Sequence, residues 1–555
     1  MKKLIKLFLT LTLLLISFQI NLSNAQANVP DHAFEVTQYE NTSLPIYDFV
    51  FDMEKEGQDA QYYNVALQET LNGQVEHLQH ESNHSFEGPL AIMNPYGTNT
   101  TALYMYFNDE EITDISYSIQ TSVYGADHAF ERTIKNQNAN ENTFEFQLIG
   151  LVPNIENSVT LKGLDESGNE VKSMNFTITP PKSNANFPNM IQKIEGNSTQ
   201  ELAPGLFVLN GNATYPNYGF IVDNEGVLRG EIQTEGYRLD TVVTTEDYLL
   251  YASNTNEIAV VNPLGQVIRV IHLKDLNLHH DFILGAENEL WILASINDAA
   301  IPRREDLILK ANIETGEVTT MIDLMDLFPE LYINAQPTLT SSGNPDLDWI
   351  HLNSITKFDD DSIIVSARET SSIIKFSNIH EDPQVDYIIG PDEPWIDTAS
   401  MDYFYQPTGD FPLHAGQHSA LIERDDSLPE GQYYIEFFNN NYWDMFSRPD
   451  LTETPINDQV YSFNEESPYA ESYYYKYLVD ENAGTFSLEQ SYPTPYSAIV
   501  GNISPQENSM VINTGRGASF GEYDLNGELI AQFQHVTTNY VYRVHKLTFN
   551  NFWFK

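Results

Sequence analysis

Apolar and polar residues alternate in short runs along most of this 555-residue chain, and Gly, Asn, Asp or Pro residues separate the runs. A period of two with frequent turns is typical of half-buried β-strands. Before residue 182 such runs include ALYMYF, FEFQLIGL and SVTLKGLD, which predict a small antiparallel β-sandwich over residues 75–182. The segment AQYYNVALQETL, ahead of these strands, has the pattern of one short helix.

The alternation stops at FTITPPKSNANFPN, residues 176–189, where three prolines and small polar residues indicate a linker. We therefore expect two folded units after the N-terminus. Residues 28–182 form a β-sandwich domain with an N-terminal extension, and residues 183–555 form a second domain.

The second domain repeats two phrases. The first is a hairpin with a Gly turn, as in FIVDNEGVLRGEI, IAVVNPLGQVIRVI, ILKANIETGEVTTMI and GEYDLNGELIAQF. The second is a single apolar run, as in EDYLLYASN, ENELWILAS, DDSIIVSAR, GQYYIEFFN and ENSMVINTG. Two alternating hairpins make a four-stranded blade, so the repeat predicts an all-β protein with a six-bladed β-propeller, stretched by insertions near 322–348 and 391–416.

The N-terminus has three lysines, an apolar run and small residues at Ala25 and Ala27, which is the layout of a secretory signal peptide over residues 1–27. We expect an exported protein that is secreted or lies in the cell envelope or periplasm. It contains no cysteine, which excludes thiol catalysis and thiolate metal sites. Its formal charge of −52 excludes nucleic acid and anionic membrane surfaces as partners.

Three histidines precede the second phrase in successive units. His280, His351 and His418 stand 11 to 15 residues before the outgoing apolar strand, at the start of what should be the innermost strand. Two other units, RLDTVVTTEDYLLY and GNISPQENSMVI, have the phrase without histidine, so the blade does not need it. Equivalent positions on neighbouring blades face one channel, and three imidazoles should therefore converge there. His279 is an alternative to His280, because strand alternation points one of the two away.

Arg368 ends the hairpin that begins at His351, so the fold should bring the two residues together at one mouth of the channel. Three imidazoles alone could bind a divalent metal, whereas three imidazoles and a guanidinium favour an oxyanion such as sulfate or phosphate. We find no carboxylate in the same register and favour the oxyanion. Asp281 is the expected orienting partner of His280.

These phrases together resemble the bacterial arylsulfate sulfotransferase family. The similarity covers about residues 85–550 and includes NPYGTNTTALYMYF, LFVLNGNATYPNYGFIVDNEGVLRG, HHDF, DWIHLNSI, GQHSALIERD and YRVHKLTF. The resemblance implies a six-bladed propeller whose channel holds the active site. The chain departs from family members that carry a disulfide, since it has no cysteine.

The resemblance also implies roles for individual residues. His418 matches the nucleophile that becomes a transient sulfohistidine, Arg368 and His351 match residues that hold the sulfate oxygens, and His280 matches the third histidine. Covalent catalysis of this kind gives ping-pong kinetics.

We thus expect a nucleotide-independent aryl sulfotransferase with small phenolic sulfate donors and phenol acceptors. It should need no cofactor and no metal, and a homodimer remains open. Two other functions also remain open: a non-catalytic propeller that binds ligands or partners, and a metal-dependent lyase or hydrolase that uses the three histidines.

Overall fold

The computed structural model describes residues 34–51, 62–124, 129–140, 142–236, 238–296, 301–339, 343, 345–452, 456, 460–461 and 469–555. The predicted signal peptide, residues 1–27, lies outside these ranges. None of the helices in the described ranges has the length and hydropathy that a bilayer-spanning helix needs.

The N-terminal part contains two sheets and one long helix. Its strands are β1 Phe34–Gln38, β2 Tyr47–Phe51, β3 Leu90–Met93, β4 Leu103–Asn108, β5 Asp114–Thr121, β6 Phe130–Thr133, β7 Thr143–Leu148, β8 Asn157–Leu164 and β9 Glu170–Ile178. The sheet orders are β1-β2-β3-β4-β7 and β6-β5-β8-β9. Apolar residues that point inward from both sheets share one core, as expected for a sandwich.

The helix α1, Val65–Glu81, is longer than the sequence indicated. The Asn64 side chain caps it by accepting hydrogen bonds from the backbone N–H groups of Ala66 (3.0 Å) and Leu67 (3.2 Å). Its buried residues recur at helical spacing and pack over the first sheet; they include Leu67, Leu71, Val75 and Leu78.

The C-terminal part is built from short antiparallel strands. They are β10 Lys193–Glu195, β11 Leu206–Asn212, β12 Tyr218–Val222, β13 Leu228–Gln233, β14 Val242–Thr244, β15 Leu249–Asn254, β16 Glu257–Val261, β17 Val267–His272, β18 Leu276–Leu284, β19 Glu289–Ile296, β20 Arg303–Asn312, β21 Val318–Asp323, β22 Thr338–Leu339, β23 Pro345–Asp346, β24 Leu352–Asp359, β25 Ser362–Ala367, β26 Ser372–Ser377, β27 Gln384–Ile389, β28 Gln406–Pro407, β29 His418–Glu423, β30 Gln432–Asn439, β31 Glu471–Asp480, β32 Thr485–Pro495, β33 Asn502–Pro505, β34 Ser509–Asn513, β35 Ser519–Asp524, β36 Leu529–Gln534 and β37 Val541–Leu547.

Within the described residues these strands form six sheets of four or five strands and one small hairpin, β22–β23. The six orders are β13-β12-β11-β37, β14-β15-β16-β17, β18-β19-β20-β21, β24-β25-β26-β27, β28-β32-β31-β30-β29 and β10-β36-β35-β34-β33. Each predicted hairpin phrase is an adjacent strand pair, such as β12–β13 and β16–β17. The prediction of an all-β protein is therefore correct, while closure into a six-bladed ring remains a prediction.

Strands from the two ends of this region complete each other's sheets. The early strand β10 pairs with β36, and the last strand β37 pairs with β11. The edge strands β18, β24 and β29 contact one another in that order, as do β33 and β37. The edge strands of neighbouring sheets thus lie side by side, and this arrangement positions the functional site.

Short helices connect some of the strands: α2 Leu324–Leu327, α3 Pro329–Asn334 and α4 Pro449–Thr452, with 3-10 turns at Glu393–Trp395, Ala399–Tyr403 and Gly515–Gly517. The predicted linker is partly anchored, because Phe187 is buried and stacks on Phe220 with ring centroids 3.8 Å apart. The C-terminal aromatic residues Phe549–Phe554 pack into the N-terminal core.

Candidate functional site

The three predicted histidines lie on edge strands of three neighbouring sheets. His280 is within β18, His351 immediately precedes β24, and His418 is the first residue of β29. All three are buried, and the Nε2 atoms of His280 and His351 are 3.3 Å apart. The structure therefore brings His280 and His351 into contact, with His418 beyond one intervening ring, that of Tyr542.

The backbone is strained at or next to each of these histidines. His280, His351 and Ser419 have φ values of 56°, 55° and 60°, a region that residues other than glycine rarely adopt. Two of the pairing shifts in the register lie beside them, between Leu278 and Phe282 and between His418 and Leu421. Such irregularities re-aim side chains from the regular alternation of a strand.

This strain explains the arrangement of His279 and His280. Both side chains face the carboxylate of Glu305, with His279 Nε2 2.7 Å from Oε1 and His280 Nε2 3.3 Å from Oε2. The expectation that one of them points away was wrong, because the left-handed conformation of His280 interrupts the alternation.

Arg368 meets His351 through its backbone, and its side chain shares the Asp348 carboxylate with His351. Its backbone N–H donates to the carbonyl oxygen of His351 at 2.9 Å, as predicted for the two ends of one hairpin. Its guanidinium Nη2 lies 3.2 Å from Asp348 Oδ2 and 2.9 Å from Glu369 Oε2. Its Nε is buried and has no hydrogen-bond partner among the described residues.

The sequence shows no carboxylate in the register of the histidines, yet three carboxylates reach the site. Glu305, Asp348 and Asp240 all approach the histidines, and Glu305 and Asp240 are buried. Glu305 comes from β20 and Asp240 from the segment before β14, so neither shares the histidine phrase. Asp348 stands three residues before His351, so it is the one carboxylate of the three that the local sequence could have indicated.

Asp281 does not orient His280. Its carboxylate accepts hydrogen bonds from Arg543 Nη1 at 2.6 Å and from the backbone N–H of Ile355 at 3.2 Å. The carboxylate nearest to His280 Nδ1 is that of Asp240, at 3.5 Å. Asp281 instead holds Arg543, a buried cation that sequence reasoning did not identify.

His351 is held as a cation. Its Nδ1 lies 2.8 Å from Asp348 Oδ2, and its Nε2 lies 2.8 Å from Glu305 Oε2, although off the line of a directed hydrogen bond. Burial and Arg368 lower its pKa, but the two carboxylates outweigh them and raise the pKa to about 9. Burial would raise the pKa of Glu305, yet the surrounding histidines hold it well below its usual range.

His418 is held neutral by a different kind of partner. Its Nδ1 donates to Asn440 Oδ1 at 2.7 Å and to the carbonyl oxygen of Gly416 at 3.1 Å. The Asn440 amide is fixed in this orientation, because its Nδ2 donates to the carbonyl oxygens of Ser497 and Val500, both at 2.8 Å. Burial lowers the pKa of His418 well below its ordinary value. The ring therefore carries its proton on Nδ1 and a lone pair on Nε2.

Two aromatic residues that the sequence did not single out border the site. Tyr542 stacks on His280 with ring centroids 4.6 Å apart and meets His418 edge-on at 6.4 Å. Its hydroxyl is buried and has no hydrogen-bond partner among the described residues. Phe446 is 47% exposed and lies 5.9 Å from the Arg368 guanidinium, where an incoming aromatic ring can reach it.

Comparison with known proteins identifies both regions of the chain. A family model described as Arylsulfotransferase (ASST) matches residues 192–549, and one described as Arylsulfotransferase Ig-like domain matches residues 90–181. No curated protein matches the chain by sequence.

Several solved structures are similar in outline. A Bacteroides caccae protein of unknown function has 10% identity and a TM-score of 0.34, covering 62% of this chain and 99% of that one. AztD from Citrobacter koseri has 10% identity and a TM-score of 0.27, covering 78% and 98%. BamB from Moraxella catarrhalis has 8% identity and a TM-score of 0.31, covering 62% and 91%. Similarities with identities and TM-scores this low do not assign a fold family or a function to this chain.

Proposed function

Since the chain belongs to the arylsulfotransferase (ASST) family, as its sequence indicated, we propose that it moves a sulfuryl group from a phenolic sulfate ester to a phenol through a sulfohistidine at His418. Family membership supports aryl sulfotransferase activity in general. The observation that carries the covalent mechanism is the contrast between the partners of His418 and His351. One imidazole faces amide and carbonyl oxygens, and the other faces carboxylates.

The first half-reaction needs a nucleophile with a free lone pair. With its proton fixed on Nδ1 by Asn440, His418 presents Nε2 to the sulfur of the donor. An N–S bond forms, the S–O bond to the phenol breaks, and the phenolate leaves with the electron pair of that bond.

Cationic groups offset the charge on the sulfuryl oxygens. Arg368 is positively charged at any relevant pH, and its unpartnered Nε is a donor that an oxyanion can satisfy. The cation of His351 lies next to it, since both contact the Asp348 carboxylate. The unpartnered Tyr542 hydroxyl is a further donor for a sulfuryl oxygen.

Protons move through the contact between His280 and His351. Their Nε2 atoms are 3.3 Å apart, so they accommodate one proton between them. We propose that the pair transfers this proton to the oxygen of the departing phenolate. In the second half-reaction the acceptor phenol attacks sulfur, the N–S bond breaks, and the phenol proton returns to the pair.

We also propose that the six sheets are blades of a closed propeller around this site. The supports are the shared sheets at the two ends of the region and the hydrogen bond of 2.6 Å from Arg238 Nη1 to the Tyr540 hydroxyl. This bond links the segment before β14 to the segment before β37. Export through the N-terminal segment remains part of the proposal.

A metal-dependent lyase or hydrolase is the second candidate, because carboxylate and imidazole atoms lie within 4.8 Å of one another in two groups around Glu305. The buried Arg368 cation in the same cluster and the ion-pair contacts on both nitrogens of His351 favour the oxyanion pocket. Dialysis against a chelator separates the two. Sulfuryl transfer is expected to survive it, and loss of activity restored by a divalent metal would support the metal enzyme.

Replacement of the nucleophile tests the proposal against a non-catalytic propeller. His418→Gln is expected to abolish transfer from p-nitrophenyl sulfate to a phenol. His535→Gln is a matched control, because His535 is also buried and its Nε2 lies 2.8 Å from an asparagine oxygen, that of Asn513. A wild-type protein without transfer activity, or a fully active His418→Gln variant, would contradict the proposal.

A further inference from the structure

Glu305 contacts three imidazoles at once. Its Oε1 lies 2.7 Å from His279 Nε2, and its Oε2 lies 2.8 Å from His351 Nε2 and 3.3 Å from His280 Nε2. The side chain is 2% exposed, so water screens these contacts little. A carboxylate in this position controls the charge that the histidines can carry.

The backbone places Glu305 there at a conformational cost. Its φ is 56°, and the pairing of β19 with β20 is irregular next to it, between Ala294 and Ile296. The backbone N–H of Glu305 donates to Ser295 Oγ at 3.0 Å instead of joining the strand ladder. Non-glycine residues held in strained backbone conformations cluster at functional sites, and the strain at Glu305 fits such a role.

The charged groups around His351 come from several elements. Asp348 precedes it in the chain, Arg368 follows β25, Glu305 lies on β20, and His279 and His280 lie on β18. Asp348 and Glu305 thus oppose one guanidinium and the neighbouring imidazoles, while a third buried carboxylate nearby, that of Glu369, pairs with the guanidinium at 2.9 Å. Glu305 is the carboxylate of this set that reaches the Nε2 side of His351, which faces His280.

We propose that Glu305 is a positioning residue of the transfer reaction, which aims the imidazoles of His280 and His351 and keeps the His351 ring protonated. The inference rests on the proposed sulfuryl transfer. Glu305 acts through the histidines and does not itself touch the sulfuryl group.

The loss of charge at this position has a specific consequence. In Glu305→Gln the side chain keeps its shape, but His351 retains only the Asp348 carboxylate as a counter-charge. The ring then loses its proton at lower pH, while its contact geometry changes little. Activity should therefore fall at alkaline pH and remain near the wild-type value at pH 6.

The test is the pH profile of kcat/KM for transfer from p-nitrophenyl sulfate to a phenol. Glu305→Gln should shift the alkaline limb down by at least one pH unit, which makes the variant at least about threefold less active than wild type at pH 8.5 and about tenfold or more less active well above pH 9. Glu305→Asp, which keeps the charge one methylene further away, should shift the limb less. If Glu305→Gln fails to fold, the position of the alkaline limb in Glu305→Asp tests the proposal in its place.

Glu231→Gln is the control. Glu231 is also buried on a strand, but its partners are the hydroxyl groups of Ser183 and Thr100 and a backbone N–H. The alkaline limb of the kcat/KM profile of Glu231→Gln should stay at the wild-type pH. A limb unchanged in both Glu305 variants, or a loss of activity equal at all pH values, overturns the proposal. Inactive wild-type protein would instead contradict sulfuryl transfer itself.

Discussion

The oxygen that each ring nitrogen faces determines how an imidazole of this site can react. Asn440 gives His418 a neutral acceptor and leaves its Nε2 free, whereas Asp348 and Glu305 hold His351 as a cation. Two buried histidines of one site can therefore act in opposite roles, one as nucleophile and one as electrostatic support. The distinction depends on single side-chain atoms, so isosteric substitutions can test it.

Asn440→Asp exchanges an amide for a carboxylate of the same shape. A negative charge 2.7 Å from His418 Nδ1 should raise the pKa of the ring and protonate Nε2, which blocks attack on sulfur. We expect kcat/KM to fall about tenfold or more at pH 6.5 and to recover partly at pH 8.5. Asn513→Asp, at the equivalent partner of His535, is the control. Equal activity of Asn440→Asp and wild type at pH 6.5 would contradict the assigned tautomer.

The pKa of His351 sets an upper pH limit for activity. Its folded pKa of about 9 is above its ordinary value of 6.5, so the cation and its stabilising ion pairs are complete below pH 6.5 and are lost as the pH rises through 9. The pKa of His418 is shifted the other way, which keeps the nucleophile neutral in the same range. The rate of transfer measured as sulfated product should be level from pH 6.5 to 8 and fall above 9. A limb centred near pH 6.5 would contradict the charge assigned to His351.

At the scale of strands, local pattern predicted the hairpins but not the acidic half of the site. The alternation and Gly turns of FIVDNEGVLRGEI are properties of neighbouring residues, and β12–β13 follows from them. Glu305 approaches His280 from β20 and Asp240 from the segment before β14, and no sequence period relates either residue to His280. The left-handed conformation of His280, within β18, also interrupts the alternation, which is why His279 and His280 face the same carboxylate.

Ser419 tests the strained start of β29. Its φ of 60° suits glycine and is unfavourable for a β-branched residue. Ser419→Val should lower the free energy of unfolding by about 1–3 kcal/mol and reduce transfer, since it displaces the adjacent His418. Ser419→Gly should stay within about 1 kcal/mol of wild type. Denaturant unfolding measures both values.

Ser118→Val is the control for this pair, because Ser118 lies within β5 and pairs regularly with Glu131 and Thr160. Its stability should remain close to that of wild type. Equal stability of Ser419→Val and Ser419→Gly would show that the left-handed conformation at residue 419 is not required.

At the scale of the whole molecule, the chain joins its ends and carries a large unbalanced charge. Strand β37 completes the sheet of β11, and the following aromatic segment packs into the N-terminal core, so sandwich and sheets share one hydrophobic interior. The full sequence has 79 acidic residues and 27 basic ones. The buried cations of the site are thus a local exception to a strongly anionic molecule.

Self-repulsion of this charge should make stability depend on salt. Raising NaCl from about 0.01 M to 0.5 M shortens the screening length from about 30 Å to a few ångströms, so Tm should rise by several degrees at pH 7. Near the sequence pI of about 4.3 the same series should change Tm little. Calorimetry at both pH values measures the difference, and a Tm at pH 7 that is independent of salt would contradict this expectation.

The central claim is that His418 carries the sulfuryl group between donor and acceptor. The most direct measurement is mass spectrometry of protein mixed with p-nitrophenyl sulfate alone, quenched under alkaline conditions and digested. If His418 is the carrier, the peptide containing GQHSA gains the mass of one SO3 group, and added phenol removes it. An unmodified peptide from enzyme that is turning over, or the same added mass in His418→Gln, would contradict the account.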